Sequence, residues 1–559
     1  MKATFQLAAA DRRALSPEKF RKASGIPWAR SVALALLLLP SAFAAKAIYI
    51  PSFITSTGMN LNSTSSQWCY ARSVQTDNWI IFWEAGFGSD PSTASGSSKV
   101  DIPTLEAVAE KSFTTYEDSL QMVVKDSSVA NKYKQIIFLH DTTLWIATGS
   151  GQDELVGTLD VNQDAANINT VAAHEIGHIF QYLTACDVPG AGYRWGFGPN
   201  GSGGNGYWEQ MAQWSAFMAY PQLQFTDYDF DTYIQNNHLN FLHEDPRYGN
   251  WFIGHWWYYK RGPHFQGKLW RSAKSPEDPV DTYKRLTGVS QDTFNAEMYE
   301  HAARLTTWDL PAIKSYGANY IGSRAQVKMS QTTDGWWLVD TASTPQNYGY
   351  NCIQLNAPAV KTTVLASFQG KAGASGYRAI NVTQAGWLYG FVALLKDGTR
   401  VYSAATTAKY ANGANPTGTI SFAVPDNCSK LWLVVSGSPQ TWWHHPWDDD
   451  SSNDEQWPYQ VQFANTNLLG QKNPTTSIQE LSATHRDLYQ VRDGVLGLTA
   501  DAALLEVLDV RGQVLRTLGG ASAERTVSLG SLPRGLLLVR VRAEGSNAST
   551  TAALSNLGR

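Results

Sequence analysis

Asn169 to Leu183 reads NTVAAHEIGHIFQYL. Ile176, Ile179, Phe180 and Leu183 recur at helical spacing, which predicts an amphipathic helix with one face in a core and Asn169 or Thr170 as its cap. On that helix His174 and His178 stand four residues apart, so both imidazoles share a face and can hold one Zn2+ at about 2.0 to 2.1 Å. Glu175 lies beside the first histidine, placed to act as general base. The bland alternative is a buried helix with two incidental histidines; a Glu between them is a costly core choice without a metal.

A catalytic zinc takes a third protein ligand and keeps one position open. Thr184 stands where the metzincin pattern has a histidine, and Asp187 is expected past the helix end. The stronger candidate is Glu209 in Gly206 to Trp214 (GYWEQMAQW), on a second expected helix that runs to Tyr220 and stops at Pro221. Between the two helices, Gly190 to Gly206 holds eight glycines in seventeen residues, the composition of a flexible loop bordering a cleft.

A helix bearing HExxH followed by a second helix donating Glu resembles the gluzincin clan of zinc metallopeptidases. The 31 residues from His178 to Glu209 and the Trp208-Glu209-x-x-Ala212 wording are nearer to the bacterial collagenase type than to the thermolysin type. The resemblance covers Gln135 to Trp270. It implies Zn2+ on His174, His178 and Glu209, Glu175 as general base, and a donor for the developing oxyanion. For that donor Tyr248 to Tyr259 (YGNWFIGHWWYY) offers His255 first and Tyr258 or Tyr259 second, with a satisfied core histidine as the competing reading.

Around this motif the chain divides by composition. Residues 45–325 carry short apolar runs (Gln135 to His140, Leu144 to Thr148, Gly157 to Val161) and then helical stretches, the order of an α+β, zincin-like domain. Residues 326–465 change to β runs such as Thr363 to Phe368, Gly386 to Leu395 and Lys430 to Ser436, the pattern of a β-sandwich accessory domain. A polar linker, 466–477, leads to 478–559, where Trp, Phe and Lys are absent and Tyr489 is the sole aromatic residue. The runs there, Leu504 to Val510, Gln513 to Leu518 and Leu536 to Val541, predict a small β domain. Its text at Leu505 to Leu515 (LEVLDVRGQVL) and Ser528 to Arg542 (SLGSLPRGLLLVRVR) resembles the C-terminal sorting domain of the bacterial type IX secretion system, which implies export machinery as a partner. An ordinary accessory β domain is the plain alternative.

The 559 residues are 43% hydrophobic with a net charge of −4, and residues 1–44 carry seven Lys and Arg against Asp11 and Glu18. Without that segment the balance is about −9, which argues against a nucleic-acid partner. Val32 to Leu39 followed by Ala42-Phe43-Ala44 predicts a signal peptide over 1–44 and a secreted or surface-attached bacterial protein. No apolar run reaches the ~20 residues of a membrane span. The four cysteines suggest Cys69 with Cys186 and Cys352 with Cys428, against free buried thiols.

Two features remain. The 21 tryptophans include the pairs Trp256-Trp257, Trp336-Trp337 and Trp442-Trp443, read as core fillers before sugar platforms. Trp442 to Tyr459 gathers His444, His445, Asp448, Asp449, Asp450, Asp454 and Glu455; Ca2+ is conceivable, but the spacing reads as a solvated acidic turn. The reading reached is a secreted zinc metallopeptidase acting on polypeptide or glycoprotein substrates. Its rival is a non-catalytic adhesin or carbohydrate-binding protein on a zincin scaffold.

Overall fold

The computed structural model describes residues 46–196, 204–473 and 489–556, the last apart from 493–494, 500–501, 510–512, 521, 534 and 545–548. The expected signal peptide, most of the joint after Asn473 and the Arg511-Gly512 turn lie outside the described residues. The chain is multidomain, with mixed α and β content and several β-sheets.

The first body opens with strands β1 (Ala47–Ile48), β2 (Ser73–Gln75), β3 (Trp79–Trp83), β4 (Tyr133–His140), β5 (Ala147–Gln152) and β6 (Val156–Asn162), in the order β2-β3-β4-β6-β5, with β1 on β4. β4 pairs in parallel with β1, β3 and β6, and β5 closes one edge antiparallel. Alternate residues serve two cores. Trp79, Ile81, Trp83, Ile137 and Leu139 face the helices, while Ile80, Phe82, Ile136 and Phe138 face a smaller cluster with Trp68 and Ile54. With both faces covered the strands read as continuous apolar runs. The edge strand begins later than the sequence suggests, at Ala147, and leaves Leu144 and Trp145 exposed.

The helices are α1 (Ser52–Ser56), α2 (Ile102–Thr114), α3 (Gln163–Ala166), α4 (Asn169–Asp187), α5 (Gly204–Ala219), α6 (Tyr228–Asn236), α7 (Phe252–Arg261), α8 (Phe265–Arg271), α9 (Pro279–Thr287) and α10 (Gln291–Leu305). α4 carries the HEIGH motif, and its N-cap is Ile168, without a side-chain cap, rather than Asn169 or Thr170. Ile176, Ile179, Phe180 and Leu183 are fully buried, each contributing roughly 1.5 to 3 kcal/mol. α4 lies very close to β5: a β carbon on Gly149 would come within 1.8 Å of the Glu175 carbonyl oxygen, and one on Gly151 within 2.0 Å of the Tyr182 ring. It meets α5 as closely, since a β carbon on Gly177 would stand 2.9 Å from the Cα of Ala212. Ahead of α5, Ala191–Trp195 form a 3-10 turn with Trp195 buried, so this part of the glycine-rich segment is packed.

Two five-stranded sheets follow. Strands β7 (Met329–Gln331), β8 (Trp337–Val339), β9 (Tyr350–Leu355), β10 (Thr362–Gly370), β11 (Gly386–Leu395), β12 (Arg400–Tyr402), β13 (Thr406–Lys409), β14 (Thr417–Val424), β15 (Cys428–Gly437) and β16 (Tyr459–Ala464) form β14-β10-β16-β8-β7 and β12-β11-β15-β9, with β13 on β11. Trp387, Tyr389, Phe391, Leu431, Leu433 and Val435 share one core with Phe368 and Val461 of the other sheet. The intervening residues Leu388, Val392, Leu394, Trp432 and Val434 join the large core of the first body, beside α10. This sheet is therefore buried on both faces, and the sandwich shares a core with the α+β body.

The C-terminal strands β17 (Tyr489–Arg492), β18 (Val495–Leu498), β19 (Ala502–Leu508), β20 (Val514–Gly519), β21 (Thr526–Ser528), β22 (Gly535–Ala543) and β23 (Ser549–Asn556) form the sheets β17-β18-β21 and β20-β19-β22-β23. Leu496, Leu505, Val507, Leu518, Leu537, Val539 and Val541 fill their common core. Arg540 stands opposite Glu506 and pairs with it at 3.2 Å. Among the described residues no helix is long and apolar enough to cross a membrane.

All four cysteines are free thiols, which corrects both expected disulfides. Cys352 is in register with Val434, six residues along β15 from Cys428, or roughly 20 Å at the rise of a strand. A disulfide needs Cα atoms within about 7 Å. Cys69 follows Trp68, which packs on Phe138 across the sheet from α4, whereas Cys186 lies in the last turn of α4. Thiol titration of the unfolded, unreduced protein is expected to give four equivalents per chain; two or none would restore a disulfide.

Candidate metal centre and cleft

α4 and α5 bring His174, His178 and Glu209 together. His174 Nε2 and His178 Nε2 are 3.0 Å apart, and Glu209 Oε2 lies 3.1 Å from the first and 3.2 Å from the second. A tetrahedral ion with ligands at about 2.0 to 2.1 Å has ligand–ligand edges of about 3.3 Å, so the three atoms span one face of such an ion.

The tautomers of both histidines point the same way as the distances. His174 Nδ1 meets Gln213 Oε1 at 2.6 Å, and His178 Nδ1 meets Gln181 Oε1 at 2.8 Å. Gln181 spends its Nε2 on the Trp208 carbonyl at 2.9 Å, which fixes its Oε1 as an acceptor. Both imidazoles then carry their hydrogen on Nδ1 and turn Nε2 lone pairs inward, towards an acceptor-only carboxylate. Three converging lone pairs call for a cation. Without a metal, a proton takes that place. Burial works against charge on His178, but the Glu209 carboxylate outweighs it and pushes the imidazole up to about 9. Burial likewise resists ionisation of Glu209, yet His174 and His178 hold its carboxyl far below the usual range. Replacing Gln213 by Ala frees the His174 ring; zinc affinity is expected to fall roughly 10- to 100-fold in a chelator competition.

Glu175 stands outside the triad. Its Oε2 accepts the Gly149 amide hydrogen at 2.7 Å, which ties the carboxylate to the edge strand β5. His174 and Glu175 line a cleft of about 760 Å3 with Trp145, Ile168, Leu223 and Tyr228 among its apolar walls. Asp227 and Asp229 make one wall acidic; burial raises both, and with Asp227 beside it Asp229 is pushed up to about 6. Tyr248 also faces the cleft, its ring 5.9 Å from that of His174. Burial, then Glu209, push its hydroxyl up to about 12, so it keeps its proton at neutral pH.

His255 is not brought to this site. It is buried on α7 between Trp214 and Phe252, lines no part of the cleft, and burial lowers it to about 3. Tyr258 packs near Trp214 and Tyr259 lies under the Arg304 guanidinium, so neither is the cleft donor. Asp187 closes α4 and accepts from the Val129 amide at 2.8 Å, away from the triad. Sequence reasoning missed Gln181, Gln213, Gly149 and Tyr248. The glutamines carried a signal: Gln181 is three residues past His178 and Gln213 four past Glu209, on the same helical faces.

Two further groups of His and carboxylates stand close, His243 with His445 and Asp454, and Asp278 with Asp281 and His444. In the first, the Asp245 amide donates to His243 Nδ1 at 3.1 Å, so Nε2 carries the hydrogen and gives it to Asp454 Oδ2 at 3.0 Å. In the second, Asp278 accepts from the Trp442 indole and the Asp281 amide, both at 2.9 Å. Hydrogen bonds thus already engage His243 and Asp454 in the first group and Asp278 in the second. The expected solvated turn is thus only half so: Asp448, Asp449 and Asp450 are exposed, but His445, Asp454 and Glu455 are buried. Trp256 and Trp257 are core residues.

A search of curated proteins found no match. The family model described as "Family of unknown function (DUF6055)" matches residues 40–470, a span that takes in the α+β body and both sheets of the sandwich. That is well over half of the chain, which therefore belongs to the DUF6055 family.

Proposed function

We propose that this protein is a zinc metallopeptidase of gluzincin type that is exported and acts on polypeptides outside the cell. The observation that carries the reading is the pair of histidines whose second nitrogens are committed to Gln213 and Gln181, so that both lone pairs converge with Glu209 beside an open cleft. His174, His178 and Glu209 would hold the ion. When bound, Zn2+ supplies Lewis acidity, which acidifies water and polarises a carbonyl.

The chain's own groups do the rest. Glu175, steadied by Gly149, takes a proton from the attacking water with its free oxygen and delivers it to the leaving amine. Tyr248, still protonated, donates to the oxygen on which charge develops. The extended edge of β5 and the apolar walls accommodate a polypeptide strand. Digestion of a peptide library by purified mature protein, with metal content measured alongside, tests the reading. Cleavage lost on chelation and restored by zinc supports it; a zinc-loaded protein that cleaves nothing overturns it.

The C-terminal β unit is the proposed export or anchoring part, on its resemblance to a sorting domain and on a hydrophobic core of its own. A chain ending at Asn473 is expected to keep zinc and hydrolysis in the purified state while its native host fails to place it outside the cell. Normal export of the shortened chain would remove the assignment.

A further inference from the structure

The loop between β15 and β16, residues 438–458, belongs to the sandwich yet reaches the parts that build the cleft. His445 Nε2 meets Glu244 Oε2 at 3.3 Å, and Asp454 Oδ2 accepts from His243 Nε2 at 3.0 Å and from Gln346 Nε2 at 3.1 Å. His243, Glu244, His445 and Asp454 are all buried. From Glu244 to Asn250 the chain is a tight turn: the Arg247 amide donates to the Glu244 carbonyl at 3.3 Å, and the Gly249 and Asn250 amides to the Pro246 carbonyl at 2.8 and 3.0 Å. The cleft residue Tyr248 is thus four residues from a side chain pinned by the sandwich.

Trp447 touches both routes. The Arg247 guanidinium lies 5.2 Å from its ring centroid and 5.9 Å from that of Tyr248. On the other side, a β carbon on Gly206 would stand 3.2 Å from the Trp447 ring and 2.9 Å from the Leu242 carbonyl oxygen. Gly206 is one turn ahead of Glu209 on α5, and Gln210 of the same helix bonds the Phe241 carbonyl.

We propose that this sandwich loop is a positioning element of the metal cleft: through His445, Asp454 and Trp447 it sets where Tyr248 and Glu209 stand. The inference rests on the metallopeptidase reading and deepens it, because the sandwich then belongs to the catalytic centre. The family match, which runs through both bodies without stopping at their joint, agrees with a unit of this extent.

The test uses full-length protein carrying Trp447→Ala, Trp447→Phe, Asp454→Ala or Asp454→Asn. Zinc affinity by chelator competition, hydrogen exchange of residues 204–211 and 244–252, melting temperature and the separate kcat and KM are measured. In the two Ala variants zinc is expected to bind at least about tenfold more weakly, exchange in both segments to quicken, and kcat to fall while KM stays within about threefold. Phe and Asn, which keep a ring and an acceptor, are expected to recover most of each loss. Trp447 is only partly buried, so its variants decide the matter if Asp454→Ala does not fold. A folded Trp447→Ala protein with unchanged zinc affinity and exchange overturns the proposal, as does a loss confined to melting temperature. A wild-type protein that binds zinc and hydrolyses nothing overturns the peptidase reading instead, while affinity and exchange still decide this one.

Discussion

Glu175→Gln is expected to keep its zinc and lose its chemistry, with turnover down by at least about 10²-fold and metal content unchanged. The amide has the shape of the carboxylate, and its oxygen can still accept the Gly149 hydrogen that now reaches Glu175 Oε2 at 2.7 Å. What it lacks is a lone pair basic enough to take a proton. Because Glu175 stands beside the triad, the metal does not register the change. Hydrolysis of a fluorogenic peptide together with zinc per chain checks this; undiminished hydrolysis would refute Glu175 as the base.

Glu209→Ala is expected to act the other way and release the metal. It removes one of three converging donors, so the loss exceeds the roughly 10- to 100-fold that follows from losing a partner one bond further out. The same geometry fixes a proton count. In the metal-free protein His178 lies at about 9, above its ordinary 6.5, so at pH 7 it holds a proton. Zinc displaces it: binding near pH 7 releases about one proton, affinity falls as pH drops, and the release vanishes above about pH 9. Calorimetry in two buffers of different ionisation enthalpy measures that number. No release at pH 7 would sink the proposed ligand set.

Much of this site was legible in the sequence because it rides on helices. The 3.6-residue period put His174 and His178 on one face, and the single acid in GYWEQMAQW marked Glu209. The donor was misread for a reason of phase. Within YGNWFIGHWWYY the helix begins only at Phe252, which turns His255 into the core and leaves Tyr248 in the preceding turn. Edge strand β5 began later than expected because Leu144 and Trp145, apolar enough for a strand, are exposed, Trp145 on the wall of the cleft. The pairing of Cys352 with Cys428 failed on register, since β9 sets Cys352 opposite Val434, six residues from Cys428 along β15. The partners of His243 were beyond local reading altogether, since Asp454 lies 211 residues further along the chain.

The sheet β12-β11-β15-β9 has no free face, since its alternate side chains fill two different cores. Melting either body strips one side of that sheet and leaves residues such as Leu388, Trp432 and Val434 facing water. Among the described residues the shared core offers no seam along which heat or denaturant can part the halves one after the other. The two bodies within 46–473 are therefore expected to come undone in a single cooperative event, with a destabilising substitution in the sandwich felt at the helices on its far side.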